Sequence, residues 1–342
     1  MDALTPCPPW LHRQGRRTLA READGRLPHA LLLAGLPGIG KRAFGQWLVE
    51  ALLCLERTDE GACGRCGACR QMLGDAHPDY RALHPDGAGE TIRIEAVRAL
   101  VDWLQLTARG GGRRTALLFG ADTLNRNAAN ALLKTLEEPG EQGFLVLVAD
   151  RPAALPATVR SRCQTLTLHA GERDVALAWL AGRVDDPERA LARARGRPFA
   201  ALDALGEQAE REEALLLAAW RDLFLHRGSV GRIVDSLAEL PSGRCLSAFS
   251  RWSALALKSH AGLSGEDGKA DGADDGPDRA VEAMVSEVAP RLAPEKWFAV
   301  HDAILRLHRS DGASFKTRAV LEGLLADIRL TIAASRVEDP RP

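Results

Sequence analysis

The sequence has no excess of charge of either sign and no long apolar run. Its 45 lysines and arginines are balanced by 46 aspartates and glutamates, for a formal net charge of -1. This balance excludes a uniformly basic surface, so any contact with a nucleic acid must be local or shared. No run of about 18 apolar residues could span a bilayer, and the first residues lack the basic segment and apolar core of a signal peptide. We therefore expect a cytoplasmic protein.

Cysteine is also scarce, with seven residues in a chain of 342, and four of the seven are bunched together. A chain of this length is long enough for two or three domains, each with its own core. A disulfide framework would be unusual in a cytosolic chain of this size. The distribution favours a metal site in a reducing compartment.

The bunched cysteines are Cys54, Cys63, Cys66 and Cys69, in the spacing C-x8-C-x2-C-x2-C. Gly61, Gly64 and Gly67 supply tight turns that let neighbouring thiolates converge. Four thiolates satisfy a tetrahedral Zn²⁺ and leave no open position, so such a site adds folding energy and performs no chemistry. Two alternatives are a redox pair formed by Cys63 and Cys66, or four unrelated thiols. The spacing favours structural zinc.

A glycine loop follows the apolar segment 30–34 and precedes a predicted helix over 43–55. It matches the phosphate-loop pattern G-x-x-x-x-G-K-[ST] at every fixed position except the last, where Arg42 stands. Glycines let backbone N–H groups crowd around a phosphate, and the lysine reaches the terminal phosphates. The residues that would bind a nucleotide here are Gly35, Gly38, Gly40 and Lys41. The alternative is a loop retained only for packing, and passive nucleotide binding is left open.

Two positions that should hold Mg²⁺ are unsuited to it. Arg42 replaces the hydroxyl ligand, and an arginine offers only donors and a permanent positive charge. The predicted strand over 115–119 should end near an aspartate for Mg²⁺, but it ends in Phe119-Gly120. Asp122 follows three residues too late to lie at the strand tip. Both losses remove the same ion, which indicates that the chain does not hydrolyse ATP.

A further apolar run over 144–148 predicts a strand, and residues 165–168 are expected to form a last short strand. Residues 95–108 and 125–138 have the period of helices. Alternating strands and helices predict a doubly wound α/β domain over residues 1–170. Residues 171–206 and 207–336 have helical periodicity, interrupted at about 259–279 by a segment rich in Gly and Asp. That segment has too few apolar residues to offset its ordering entropy, and we predict a disordered insertion there. Residues 337–342 are expected to be a frayed tail.

Three motifs together resemble a known family. They are the segment from Asn130 to Pro139 (NALLKTLEEP), the four-cysteine insert, and Ser161-Arg162-Cys163. These resemble the AAA+ subunits of the bacterial DNA polymerase III clamp loader, and the two lost metal positions favour the delta-prime family over the tau/gamma motor. The resemblance covers residues 8–205 with specific motifs and extends weakly to the C-terminal end.

The resemblance implies an AAA+ (P-loop NTPase-like) α/β domain with a zinc insert at 54–69, a small helical lid and an all-α C-terminal collar. It implies that Arg162 is presented to ATP bound on a neighbouring subunit. Active members carry a sensor arginine in the lid, and here Phe199 stands at its place, two residues from Arg197. The implied partners are the tau/gamma and delta subunits in a hetero-pentamer, with the sliding clamp and primer-template DNA reached through the complex.

Two other functions compete with a non-hydrolysing subunit. The intact Gly40-Lys41 pair is compatible with a working ATPase motor of the same complex. The four cysteines and the segment Arg109 to Arg114 are compatible with a zinc-dependent DNA-binding module, although such a segment is more often a solvated turn. The neutral net charge weighs against the second, because phosphate contacts dominate binding to DNA.

Overall fold

The computed structural model of the chain describes residues 3–85, 91–110, 112–140, 142–202, 207–261, 279–310 and 317–337. Its internal contacts divide it into two compact units, residues 1–204 and residues 205–342. The division of the first unit at residue 170 into a sheet domain and a lid stays a prediction.

The first unit is built on a five-stranded parallel sheet in the order β2-β3-β4-β1-β5. The strands are β1 (Ala30–Ala34), β2 (Tyr80–Leu83), β3 (Arg114–Phe119), β4 (Gly143–Ala149) and β5 (Gln164–Thr167). The helices are α1 (His12–Ala23), α2 (Lys41–Leu53), α3 (Gly67–Leu73), α4 (Ile94–Leu104), α5 (Arg126–Glu137), α6 (Ala157–Arg160), α7 (Arg173–Leu180), α8 (Pro187–Arg193) and α9 (Pro198–Leu202). The predicted parallel α/β domain is therefore confirmed.

The three central strands are buried almost throughout, which explains their continuous apolar sequences. Alternate residues face two separate cores, one on each side of the sheet, so that Leu32 and Leu118 belong to one core and Leu33 and Leu117 to the other. Strand β2 was not predicted from the sequence. It is a short edge strand whose residues are partly or fully exposed, so it carries no apolar run.

Helix α5 agrees with its predicted bounds, whereas α4 ends earlier than predicted. The Asn125 side chain accepts a hydrogen bond from the Ala128 N–H, which makes Asn125 the N-cap of α5. Helix α4 ends at Leu104, whereas its apolar period predicted an end near Ala108. The Ala108 N–H instead donates to the side chain of Gln142, which draws the chain out of the helix toward β4.

In the second unit every element of the described residues is helical. Its helices are α10 (Glu207–Phe224), α11 (Val230–Ser236), α12 (Ser242–His260), α13 (Arg279–Val288), α14 (Pro294–Ser310) and α15 (Thr317–Val337). Aromatic rings fill the core: Trp220 stacks on Phe249 with centroids 4.7 Å apart, and Phe224 stacks on Trp297 at 4.8 Å. Leu215 and Phe298 stay exposed.

The insertion predicted at about 259–279 lies outside the described residues except at its ends, where α12 reaches His260 and α13 begins at Arg279. Nearly all of the predicted tail, residues 338–342, also lies outside them. None of the helices in the described part of the chain is both long and apolar enough to cross a membrane.

Candidate functional site

The phosphate loop connects β1 to α2 at the carboxyl end of the sheet, where ligands bind in parallel α/β folds. Gly38 and Gly40 have φ angles of +79° and +93°, which L side chains rarely adopt. The predicted residues Gly35, Gly38, Gly40 and Lys41 thus lie together in the expected loop. The groups that contact this loop belong to other segments of the same chain.

Lys41 is 4% exposed, and its amine is bound by groups of the chain itself. Nζ donates to the carbonyl oxygens of Gly35 at 2.8 Å and Leu36 at 2.6 Å, and it forms an ion pair with Asp150 at the end of β4. A lysine ammonium has three N–H donors. All three therefore have partners within the chain, and a phosphate could bind the lysine only by displacing them.

Helix α9 lies directly on the phosphate loop. The backbone N–H groups of Phe199 and Ala200 donate to the Gly38 carbonyl at 2.9 and 3.2 Å. A Cβ atom at Gly38 would lie 2.5 Å from Cβ of Ala200, and one at Gly40 would lie 2.7 Å from the ring of Phe199. The loop glycines here permit a close approach by the chain's own helix, in the place where a nucleotide phosphate would approach.

An aromatic cluster holds this helix in place. Trp10 meets Trp179 edge to face at 5.3 Å, Phe199 lies 4.8 Å from Trp179, and Trp10 Nε1 donates to the Ile39 carbonyl at 3.0 Å. Phe199, predicted at the place of a sensor arginine, therefore packs as an apolar side chain against Trp10 and Trp179. Arg197 Nη1 donates to the Pro37 carbonyl at 3.4 Å. Burial lowers the pKa of Arg197, and the positive charge of the nearby Arg195 lowers it further.

The two positions that should bind Mg²⁺ contact each other. The Arg42 guanidinium lies 5.4 Å from the centroid of the Phe119 ring, in a cation–π contact. His84 stacks on the same ring at 4.4 Å, and burial together with the charge of Arg42 lowers the pKa of His84. The place of a metal ion and its two ligands is thus taken by a cation and an aromatic ring, which have no ligand atom to offer.

Asp122 has a structural role, in agreement with its position too far along the chain for a metal ligand. Its carboxylate accepts hydrogen bonds from the backbone N–H groups of Asp150 at 3.2 Å and Arg151 at 3.1 Å. The side chain is 6% exposed and also pairs with Arg151. Asp122 therefore ties the segment after β3 to the segment after β4.

The four predicted zinc ligands converge. The Sγ atoms of Cys54, Cys63, Cys66 and Cys69 all lie within 4.8 Å of one another. Cys54 and Cys66 are separated by 3.8 Å, and Cys63 and Cys69 by 3.9 Å. With a Zn–S bond of about 2.3 Å, the sulfurs of a regular tetrahedron are about 3.8 Å apart. The cluster therefore fits a tetrahedral zinc ion, and it fits no open catalytic site.

Backbone N–H groups point at the sulfurs. Cys63, Cys66 and Cys69 donate in turn to Cys54 Sγ at 3.2 Å, Cys63 Sγ at 3.4 Å and Cys66 Sγ at 3.5 Å. Burial raises the pKa of the Cys66 thiol, but hydrogen bonds from the backbone N–H groups of Cys69 and Leu55 outweigh this effect and lower it to about 6. The loop thus favours a thiolate at Cys66, which is the form that binds metal. In a zinc site these same N–H groups would offset the excess negative charge of four thiolates.

Arg162 forms a surface ion pair within the chain. Its Nη2 lies 2.6 Å from Glu137 Oε1, its Nη1 donates to the Thr158 carbonyl at 3.0 Å, and the side chain is 35% exposed. The short helix α6 and the turn after it present this side chain beside the end of α5. The guanidinium is accessible, and a phosphate on another molecule could compete with a single carboxylate for it.

Two of the three arginines in the basic segment from Arg109 to Arg114 are paired within the unit. Arg114 is buried, donates to the carbonyls of Thr107 and Trp103, and lies 3.6 Å from Asp79. Arg113 pairs with Glu22 at 2.7 Å. Both charges are therefore compensated inside the unit, which weakens the interpretation of this segment as a DNA contact.

Comparisons with known proteins show which family the chain belongs to. A family model described as "DNA polymerase III, delta subunit" matches residues 14–172. The DNA polymerase III subunit delta' of Pseudomonas aeruginosa is 35% identical over 251 residues, which cover 71% of this chain and 75% of that protein. The chain belongs to the delta-prime family. Its Escherichia coli relative of the same name is 38% identical over 198 residues, covering 57% of this chain and 59% of that protein.

Identity alone does not separate delta-prime from the related tau subunit. Escherichia coli DNA polymerase III subunit tau is 35% identical over 146 residues, which cover 43% of this chain and 22% of tau. The identity is the same as for the Pseudomonas delta-prime protein, and the length of the alignment differs. The substitutions at Arg42 and Phe119 are therefore the more direct guide to what this delta-prime family member can do.

Sequence reasoning missed Asp150 and the cluster around Phe199. Asp150 follows β4 at the same sheet edge as the phosphate loop, so its position after a parallel strand could have indicated a contact with Lys41. No local pattern indicates that Trp10, Trp179 and Phe199 meet, because they are far apart in the sequence and belong to three different elements.

Proposed function

We propose that this delta-prime family member is a non-hydrolysing subunit of the DNA polymerase III clamp loader. It helps to assemble the subunit ring and supplies Arg162 in trans to ATP bound on a neighbour while the sliding clamp is loaded on primed DNA. Its partners are the tau/gamma and delta subunits in a hetero-pentamer. The chain itself has neither ATPase nor polymerase activity.

The observation that carries this proposal is the filling of the phosphate loop by the chain itself. The Lys41 amine is satisfied by Gly35, Leu36 and Asp150, and α9 covers Gly38. Each of these contacts would have to break before a triphosphate could enter. The energy of nucleotide binding would be reduced by that rearrangement, and no group at Arg42 or Phe119 would then hold the metal.

Retention of Arg162 supports the second half of the proposal. The chain has lost the residues that handle its own Mg²⁺ but keeps Ser161-Arg162-Cys163. Guanidinium groups stabilise the charge that develops on the transferred phosphoryl group, and they can be supplied by a second subunit. A subunit that serves a neighbour's site needs this arginine and can dispense with its own metal ligands.

We expect the purified chain to hydrolyse no ATP above background in a coupled assay with Mg²⁺, and to show no heat of ATP binding by calorimetry. Arg42→Thr should not restore activity, because Phe119 still lacks a carboxylate and α9 still covers the loop. The matched control is Lys41→Ala, which should leave the background unchanged. Turnover in the wild-type chain that disappears on Lys41→Ala would contradict the proposal and favour the motor function.

A structural zinc ion completes the proposed subunit. Cys54, Cys63, Cys66 and Cys69 would hold it, and the geometry supports this assignment. When bound, zinc would supply folding energy to the insert between α2 and α3 and no chemistry. The alternative of an independent zinc-dependent DNA-binding module is disfavoured, because Arg113 and Arg114 are paired within the unit.

A further inference from the structure

Helix α1 carries three arginines in one row, Arg13, Arg17 and Arg21, which we call the arginine row. They recur at every fourth position, so successive arginines are about 6 Å apart along the helix axis. The row lines a groove of about 380 Å³. The other residues that line the groove are Trp10, Gln14, Thr18 and Leu166.

In the parts of the chain that the structure describes, no side chain pairs with the arginine row. The remaining arginine of α1, Arg16, points elsewhere and pairs with Glu60. The only acidic residue of α1, Glu22, is occupied by Arg57 and Arg113. The positive charge of the row is therefore uncompensated, in a chain whose net charge is -1.

This arrangement destabilises the helix that carries it. Like charges four residues apart on a helix repel, and the row contains two such pairs. Arg13 also lies in the first turn, which has no acidic residue, and a cation there opposes the helix dipole. Arg21, in the last turn, is favourably placed with respect to the helix dipole, but none of the three arginines gains an ion pair within the described part of the unit. A bound anion would remove both penalties.

We propose that the arginine row binds the sugar–phosphate backbone of a DNA strand. A guanidinium binds phosphate through two parallel hydrogen bonds, and a row of evenly spaced guanidinium groups matches a chain of evenly spaced phosphates. That the nucleic acid is DNA and not RNA rests on the proposed function. Beside the row, Gln14 Nε2 donates to the Thr167 carbonyl and Thr18 Oγ1 to the Gln14 carbonyl, so the guanidinium groups are left as the donors for a ligand.

An acidic protein is the competing occupant, and the groove offers it little apolar surface. Protein interfaces are usually anchored by apolar or aromatic side chains in desolvated pockets. Trp10 is already packed against Trp179 and Phe199, with its Nε1 bound to Ile39. Leu166 alone is left as an aliphatic contact among the residues that line the groove. Phosphate contacts, in contrast, need charge more than apolar area.

The test replaces the row by glutamine in the full-length chain, R13Q/R17Q/R21Q. The matched control, R227Q/R232Q/R291Q, removes the same charge from exposed arginines of the second unit that have no ion pair in the described part of the chain. Fluorescence anisotropy measures binding to labelled single-stranded DNA, duplex DNA and a primed junction, each of about 30 nucleotides, between about 50 and 200 mM salt.

Loss of three phosphate contacts should lower the magnitude of the slope of log Kobs against log[salt] by about 2 for single strands and about 3 for duplex. At the lowest salt the row variant should bind about tenfold more weakly or worse, and the control variant should keep the wild-type slope. The row contacts the DNA form whose change in slope corresponds to three lost phosphate contacts, about 2 for single strands or about 3 for duplex. The melting temperature should be unchanged or slightly higher, because repulsion within α1 has been removed.

If the triple variant does not fold, Arg17→Gln alone should lower the slope by about 0.7 to 0.9. A wild-type chain with no salt-dependent DNA binding, or a folded row variant with an unchanged slope, overturns the inference. A row variant that keeps DNA binding but no longer joins the other subunits assigns the row to an acidic protein and also overturns it. Failure of the wild-type chain to join those subunits would instead refute the proposed function, and the slopes would still decide this inference.

Discussion

Arg162→Ala is expected to leave assembly of the clamp-loader complex intact while its DNA- and clamp-stimulated ATPase falls sharply. An arginine that stabilises the transferred phosphoryl group from a neighbouring subunit is worth about 10³ to 10⁵ in rate at one site. The total loss depends on how many sites the complex uses, so single-turnover hydrolysis and clamp loading should be measured together. Arg162→Lys should rescue poorly, because a point charge cannot reproduce the planar fork of guanidinium donors.

The structure provides a matched control for this prediction. Within the chain Arg162 pairs with Glu137, and Glu137→Gln breaks that pair while it keeps the guanidinium. An exposed ion pair contributes about 0 to 1 kcal/mol, so both variants should melt close to the wild-type temperature. If Arg162 acts only through Glu137, the two variants should behave alike in every assay. Normal clamp loading by the complex that contains Arg162→Ala would show that Arg162 has no role at a neighbour's ATP site.

If Cys66 is a ligand of the proposed zinc ion, Cys66→Ser should abolish zinc binding and unfold the insert between α2 and α3. Apparent free energies for structural zinc in small peptides are about 10–16 kcal/mol at pH 7, more than the insert's few hydrogen bonds can replace. The cysteine cluster is separate from the two cores of the sheet. We therefore expect lower solubility and an early melting transition, with the sheet still folded by circular dichroism.

Elemental analysis should find about one zinc per wild-type chain and none in Cys66→Ser. Cys7→Ser is the control, because Cys7 is a buried thiol of the same unit that lies outside the cluster. It should keep its zinc. Lowering the pH should release the metal, since protons compete for thiolates, and stability should fall in the same range. A wild-type chain without metal, melting at the same temperature as Cys66→Ser, would show that the cluster is four unliganded thiols.

The features predicted well from the sequence are those with local causes. The phosphate loop is set by glycines within six residues, and the four-cysteine cluster by cysteine spacing and by turns at Gly61 and Gly64, both with positive φ. The central strands were identified because each is buried on both faces and so carries a continuous apolar run. Strand β2 was missed because its residues at the sheet edge need no such pattern.

What the sequence by itself determined is that this chain has a phosphate loop without metal ligands, a four-cysteine insert and an arginine in a Ser-Arg-Cys motif. Each of these follows from residue types at fixed short spacing. The tertiary structure decided which charges remain available: Lys41 is bound by Asp150, Arg114 by Asp79, and Glu22 by two arginines, while the arginine row keeps none of these partners. Charge pairing depends on which distant segments the fold brings within about 4 Å, and that distance is invisible in a linear sequence.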